Sequence, residues 1–454
     1  MLLQWQNEVP PLRSEGRIVS IAREDDVNCR ESQIVIRLVA ALLLFPAIVG
    51  AAPNTSPLAK PPDWSELEKF QETITREDFE RLLNNVYCTR GVPNDFIQVD
   101  AETARILIDK DEQKWFTLRF APNESSAKTP PRFWRPAKAL PRTRKGHELR
   151  GLKIALDPGH IGGRWAKMEE RWYQIGEKKP VQEGNMTLRV AKLLARKLRQ
   201  RGAIVSFVRA KTEPTTSKRP DDFKEIARQV LARAGNTQPR ESFEDPADPE
   251  KEQTVRWQSE LLFYRQDEIR KRAARVNTKI KPDVVLCLHF NAEPWNDPRN
   301  PTLTDRNHLH LLVNGSYLPP ELELDDVRFE MIRRLLSRAY DEEFPLAEKS
   351  AAAMAHRTNL PPYEYTTENV TKIGSTGYVY ARNLLATRLF HCPVVYFEPY
   401  VMNNEEVFAR VQAGDYAGTR NINGKEVPSI FREYADGVVE GLLDYYPEAR
   451  PHRE

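Results

Sequence analysis

With 454 residues, 40% apolar and 29% charged, the chain can form one large globular domain with a sizeable core plus smaller pieces. Its 68 basic and 65 acidic side chains leave a net charge of only +3, which gives no basis for a whole-protein nucleic-acid binder. Thirty-four prolines against twenty glycines point to long ordered loops and linkers, not to a Gly-rich disordered chain.

The chain opens with an N-terminal extension and signal peptide over residues 1–52. Its core is LVAALLLFPAIV, Leu38 to Val49, followed by the small residues Gly50, Ala51 and Ala52. About 12 apolar residues fall short of the ~20 that span a bilayer. Preceded by Arg30 and Arg37, the run reads as a secretory signal cleaved near Ala51 or Ala52. The expectation is an exported protein, periplasmic or in the cell envelope, with no stable membrane span after cleavage. Residues 1–33 are polar and long for a region ahead of a signal core, which suggests a true start nearer Val35. No cysteine sits at the cleavage region, so a lipid anchor is not expected. Cys29 leaves with the signal, and the odd remainder (Cys88, Cys287, Cys392) argues against a full disulfide framework. Cys287 and Cys392 read as small buried hydrophobes, with a bridge between them left open.

Residues 53–120 read as a small α+β domain of unknown role. It has two helical patterns over 63–88, the second starting at Thr75, then three strands, FIQVD (96–100), ARILID (104–109) and WFTLRF (115–120). Residues 121–150 form a Pro/Arg-rich linker. The simplest reading is a solvated tether; a weaker one is contact with an anionic surface through Arg132, Arg135, Arg142, Arg144 and Lys145. From Gly151 strands and helices alternate. Strands fall at 152–157, 203–208, 283–290, 308–313 and 393–398, and helices at 184–201, 264–279 and about 346–358. This is an α/β pattern: a mostly parallel twisted sheet with helices on both faces, filling one domain over 151–448. A charged segment at 211–262 and an acidic helical segment at 318–345 interrupt it.

Four short stretches stand out. LDPGH puts His160 just past the first strand of this domain, and VQEGN puts Glu183 at the start of the next helix. LCLHFNA and YFEPY put His289 and Glu398 at the ends of later strands. In open α/β sheets ligands bind at the carboxyl ends of strands, and three of the four residues map there. Each has a plainer reading alone. His160 can stabilise a Pro-Gly turn, Glu183 can face the helix dipole, and His289 can bond backbone. Glu398 resists such a reading, because a carboxylate after Val394-Val395-Tyr396-Phe397 is costly to desolvate without a cation, a polarised water or a raised pKa. His308 and His310 share one strand face and mimic a metal pair; they are assigned to the strand itself. His147, His356, His391 and His452 have no partner motif.

In order and spacing these motifs resemble the zinc-dependent N-acetylmuramoyl-L-alanine amidases of the third type, over roughly residues 151–445. The resemblance runs through Asp157-Pro158-Gly159-His160, Glu183 with Leu188, Cys287-Leu288-His289-Phe290-Asn291-Ala292, and Pro393 to Glu398 with Asn403-Asn404 beyond. Arg209, Arg272, Asn277 and Arg388 agree with it. It departs at Cys287, where Ser is usual, at Ile161, where a glycine usually follows the motif, and at both insertions.

The resemblance implies a catalytic domain holding Zn2+ through His160, Glu183 and His289, with Glu398 as the catalytic base. The scissile bond would join the lactyl group of N-acetylmuramic acid to L-alanine of peptidoglycan. Two imidazoles and one carboxylate leave a tetrahedral zinc with an open position, as a catalytic site needs. Asn291 and Arg388 are expected to contact substrate. Glu321 or Glu323, from the acidic segment, would fill the open zinc position until an activator protein displaced it; a plain surface helix is the favoured alternative there. Competing functions are a zinc peptidase acting on peptide bonds and a non-catalytic wall-binding protein. A nucleic-acid binder using the basic linker has only charge in its favour.

Overall fold

The computed structural model describes residues 54–91, 93–295 and 300–450; the signal-like segment and Cys29 lie outside the described residues. At the N-terminal end, Asp63 caps a 3-10 turn over Trp64–Phe70. Thr75 caps α1 (Arg76–Leu82), its hydroxyl accepting the Asp78 N–H, with Phe79 and Leu82 buried. Three antiparallel strands follow, β1 (Ile97–Val99), β2 (Thr103–Asp109) and β3 (Lys114–Arg119). Alternation buries Ala104, Ile106, Phe116 and Leu118 on one face. These side chains belong to the same apolar cluster as the large sheet described next, so the core runs on without a break.

From residue 151 the strands are β4 (Lys153–Pro158), β5 (Trp172–Tyr173), β6 (Val181–Gln182), β7 (Ile204–Phe207), β8 (Val284–Leu288), β9 (Leu309–Val313), β10 (Val370–Ile373), β11 (Val379–Arg382), β12 (Val394–Pro399), β13 (Thr419–Ile422) and β14 (Lys425–Pro428). The helices are α2 (Glu183–Gln200), α3 (Lys224–Arg233), α4 (Val255–Leu261), α5 (Glu268–Arg275), α6 (Asp325–Leu336), α7 (Tyr340–Thr358), α8 (Leu385–Leu389), α9 (Glu405–Ala413) and α10 (Ile430–Ala449). Seven strands form the large sheet in the order β10-β11-β9-β12-β8-β4-β7. From β12 to β7 the strands run parallel. β9 pairs antiparallel with β12, β11 parallel with β9, and β10 antiparallel with β11. The sheet is mostly parallel, as the strand-helix alternation predicts. The reversal between β12 and β9 has no signal in that alternation.

Side chains of one strand alternate between two packed layers. Ile154, Leu156, Leu286, Leu288, Val395 and Phe397 pack with residues of α2, α7 and α10. Ala155, Val285, Cys287, Val394 and Tyr396 pack with Ala273 of α5 and with Leu389, Phe390 and Cys392 ahead of β12. Helices therefore cover both faces. β8 reads VVLCL and is buried at every position, as a central parallel strand must be. Cys88, Cys287 and Cys392 are buried and free, so no bridge joins the last two.

Three segments differ from expectation. Residues 121–150 are no solvated tether, since Trp134, Ala137, Leu140 and Leu149 are buried. Arg135 grips the Asp283 carboxylate at 3.1 and 2.6 Å and reaches the Gly151 carbonyl. Arg132 lies over the Trp134 ring. An extended Pro-rich segment has no fixed burial period, so its sequence does not advertise packing.

The 211–262 insertion has a core of its own. Phe223, Ala227, Leu231 and Val255 meet Leu262, Phe263 and Tyr264, and Ile161 from the turn after β4 inserts among them. Segment 318–345 holds a 3-10 turn (Pro319–Glu323), α6 and the start of α7. α6 buries Val327, Phe329, Met331 and Ile332. It packs against α1, α8 and the N-terminal 3-10 turn.

Candidate metal centre

The site grows from the turn after β4. His160 takes a left-handed φ of 57°, unusual for a residue with a β-carbon, so the turn must be held from outside. Two buried arginines do this. Arg272 on α5 donates to Asp157 at 3.0 Å, to Glu268 at 2.8 Å, and to the Pro158 and His160 carbonyls at 3.0 and 2.9 Å. Arg209, just past β7, donates to the Pro158, Gly159 and Gly184 carbonyls at 3.2, 3.3 and 3.1 Å. The Thr187 hydroxyl adds a bond to Gly159 O at 2.8 Å. Fully satisfied carbonyls make a rigid mount.

Close backbone approach brings the second residue in. A Cβ on Gly184 would stand 2.4 Å from the Gly162 nitrogen, so only glycine lets the N-terminus of α2 press against this turn. That contact places Glu183, the first residue of α2, beside His160: Glu183 Oε2 lies 3.2 Å from His160 Nε2. From β8 comes His289, whose Nδ1 is 3.1 Å from Glu183 Oε1, an oxygen that also accepts the Phe290 N–H at 3.1 Å. The His289 ring stacks on Tyr396 with centroids 4.2 Å apart and meets His160 edge-on at 5.1 Å. One ligand-capable atom from each of His160, Glu183 and His289 lies within 4.8 Å of the others.

Glu398 lines the same cleft together with those three residues. Strand parity explains this: Val394, Tyr396 and Glu398 share a face of β12, while Val285, Cys287 and His289 share that face through β8.

Electrostatics support a cation site. Burial, reinforced by Arg171, His289 and Arg272 and opposed by Glu183, holds the His160 pKa well below its usual 6.5 and keeps the ring neutral. Burial alone would raise the Glu183 pKa, but both imidazoles and Arg171 outweigh it and keep the carboxylate ionised. Burial and the neighbouring Glu183 push the Glu398 carboxyl well above the usual range, against Arg171 and Arg382. Glu183 Oε2 and Glu398 Oε2 are buried and make no hydrogen bond of good geometry. Two imidazoles and one ionised carboxylate fit a zinc ion's preferred donors.

The structure brings His160, Glu183, His289 and Glu398 into one cleft, with Asn291 and Ala292 on its wall. Arg388 is not among the residues lining it; that side chain is buried and donates to Asn383 Oδ1 at 2.7 Å. Glu321 accepts from Asn383 and from the Leu318 N–H, and neither it nor Glu323 lines the cleft. The buried face of α6 turns that segment toward the N-terminal helices instead.

Several residues in or beside the cleft escaped the sequence reading. Glu169 accepts the Ile161 and Gly162 N–H groups and lies 3.8 Å from His160 Nδ1. Arg171 Nε is 3.1 Å from Glu183 Oε2. Both sit in a charged loop with no periodic signal. His310, Tyr363, Tyr365 and Arg382 line the far side. His308 instead pairs with Glu293 at 2.9 Å.

No protein-family model and no curated protein sequence matches the chain. Solved structures that match include N-acetylmuramoyl-L-alanine amidases, the family whose motifs the sequence resembles. An apo Ami1 from Mycobacterium abscessus is 16% identical, covers 65% of this chain and 99% of its own, and has a TM-score of 0.34. AmiC2 of Nostoc punctiforme is 15% identical over 65% of this chain and 96% of its own, at 0.32. CwlD from Clostridioides difficile, solved in complex with the GerS lipoprotein, is 11% identical over 64% and 96%, at 0.34. TM-scores of this size decide neither fold nor chemistry, which stand on the chain's own residues.

Proposed function

We propose that this protein hydrolyses the amide bond between N-acetylmuramic acid and L-alanine in peptidoglycan, using a zinc ion held by His160, Glu183 and His289. The observation that carries the reading is the convergence of these three side chains, far apart in sequence, with a half-buried Glu398 on one cleft. Bound there, the ion supplies Lewis acidity toward a carbonyl oxygen and toward water. The protein's own residues do the rest. His160 stays neutral through burial, and Arg171 braces the ionised Glu183. A cation held beside Glu183 would offset the charge that raises the Glu398 carboxyl, and the ionised Glu398 would then take the proton of the attacking water and return it to the departing amide nitrogen of alanine. Asn291 contacts the substrate from the cleft wall; Arg388, bonded to Asn383 away from the lining residues, does not.

The signal-like segment suits an exported enzyme that meets peptidoglycan in the envelope. Among the described residues no helix is long and apolar enough to cross a membrane. An activator protein remains part of the proposal, though Glu321 and Glu323 give it no contact in the cleft.

Mass analysis of digested, purified sacculi tests the assignment. Intact stem peptides freed from unbroken glycan are the expected products. Fragments cut within the peptides would instead make the protein a zinc peptidase, and an inert protein would point to a wall-binding role.

A further inference from the structure

The antiparallel entry of β9 beside β12 sets His310 directly opposite Glu398 in the strand register. His310 is 2% exposed and lines the cleft. Its ring is boxed by Tyr363, Tyr365 and Tyr380, with centroids 5.2, 5.2 and 6.4 Å away. The Tyr365 hydroxyl stands 2.8 Å from His310 Nε2. Arg382 stands over the Tyr365 ring, and a guanidinium can only donate, so its charge favours a phenol proton turned away from it, toward His310 Nε2. In that arrangement Nε2 accepts, and the ring proton sits on Nδ1. Burial, with His308 and Arg382 beside it, keeps the ring uncharged. His310 Nδ1 is buried and has no hydrogen-bond partner. A buried imidazole nitrogen without a partner is costly, and His310 lines the cleft where a bound substrate would supply one.

We propose that the Nδ1–H of His310 donates a hydrogen bond to the carbonyl oxygen of the scissile amide and holds the negative charge that develops there, with Tyr365 and Arg382 as positioning residues. This rests on the hydrolase reading. The water oxygen adds to the carbonyl carbon while its proton passes to Glu398, and the carbonyl electron pair moves onto the oxygen that His310 faces. When the pair returns, the C–N bond breaks and the nitrogen takes its proton from Glu398. His310 gives up no proton at any stage, so its neutral tautomer is unchanged by turnover.

The test uses the zinc-loaded full-length enzyme on a soluble muramoyl-peptide, with zinc content measured for every variant and the His310 tautomer read by 15N NMR. Wild type should show the Nδ1–H tautomer. His310→Ala and His310→Gln should lose about 10²-fold in kcat, as when one oxyanion donor is removed, with KM and zinc content unchanged. His310→Asn, whose amide nitrogen reaches the Nδ1 position, should recover part of that loss. Tyr365→Phe should lose less, and His310→Ala/Tyr365→Phe no more than His310→Ala alone. An Nε2–H tautomer in wild type, a His310→Ala enzyme with full kcat, or loss of zinc from that variant would each overturn the role. A wild-type enzyme that cleaves no muramoyl-peptide bond removes the hydrolase reading itself, whereas normal wild-type activity with an indifferent His310→Ala removes only this donor.

Discussion

Gly159 lies so close beneath His289 that a β-carbon there would stand 2.1 Å from the imidazole Cε1 and 2.3 Å from Nε2. The glycine of the DPGH turn is thus a spatial requirement of a residue 130 positions later in the chain.

Gly159→Ala must push His289 off its seat on Tyr396. The expected result is loss of bound zinc and of activity, with the sheet intact by circular dichroism. Elemental analysis of the purified variant decides the matter; one full equivalent of zinc with normal turnover would contradict the geometry.

Arg272 neutralises buried Asp157 and secures two carbonyls of the turn that carries His160. Arg272→Met leaves a carboxylate buried without its partner. The cost should be about 3–5 kcal/mol in urea unfolding, and zinc affinity should fall ~10–100-fold because the turn that aims His160 loosens. A change under about 1 kcal/mol would show the arginine to be dispensable.

Ile161 ties the turn that carries His160 to the core of the 211–262 insertion. Ile161→Ala should destabilise that contact by about 2–5 kcal/mol. Limited proteolysis should then cut the insertion faster than in wild type while the rest of the sheet stays protected. Equal cutting rates would mean the insertion stands without this anchor.

Removing the ion should lower the melting temperature, because a ligand that binds only the folded state stabilises by about 4 kcal/mol at a thousandfold excess over Kd. Zinc should restore the loss and magnesium should not, since two of the three donors are imidazole nitrogens. In Glu183→Gln the chelator effect should shrink sharply, and scanning calorimetry with and without chelator reads both outcomes.

The sequence made some of this site legible and hid the rest for identifiable reasons. Period-two alternation in VVLCLH and VVYFE is enough to set His289 and Glu398 on one face, provided β8 and β12 are neighbours, which they are. Arg209 and Arg272 stood out only as secondary matches to the amidase motifs the sequence resembles. His310 was read as strand only, because nothing in HLHLLV tells that β9 runs against β12 and delivers its first residues to the carboxyl ends of the others. Arg171 and Glu169 sit in a loop whose charges look solvated until the hairpin of β5 and β6 folds them inward. Ile161 seemed a departure from the family pattern; it is the plug on which an extra segment docks. Patterns along one strand are local, whereas the missed contacts depend on strand direction and on which loop covers which edge.

The central claim is that three protein side chains close around one divalent ion within working reach of Glu398. Zinc stoichiometry and stem-peptide release, measured together on wild type, Glu398→Gln and His289→Ala, test it most directly. The account predicts one zinc and active release for wild type, one zinc without release for Glu398→Gln, and neither for His289→Ala. Stem-peptide release by a zinc-free His289→Ala protein, or undiminished release by Glu398→Gln, would contradict it.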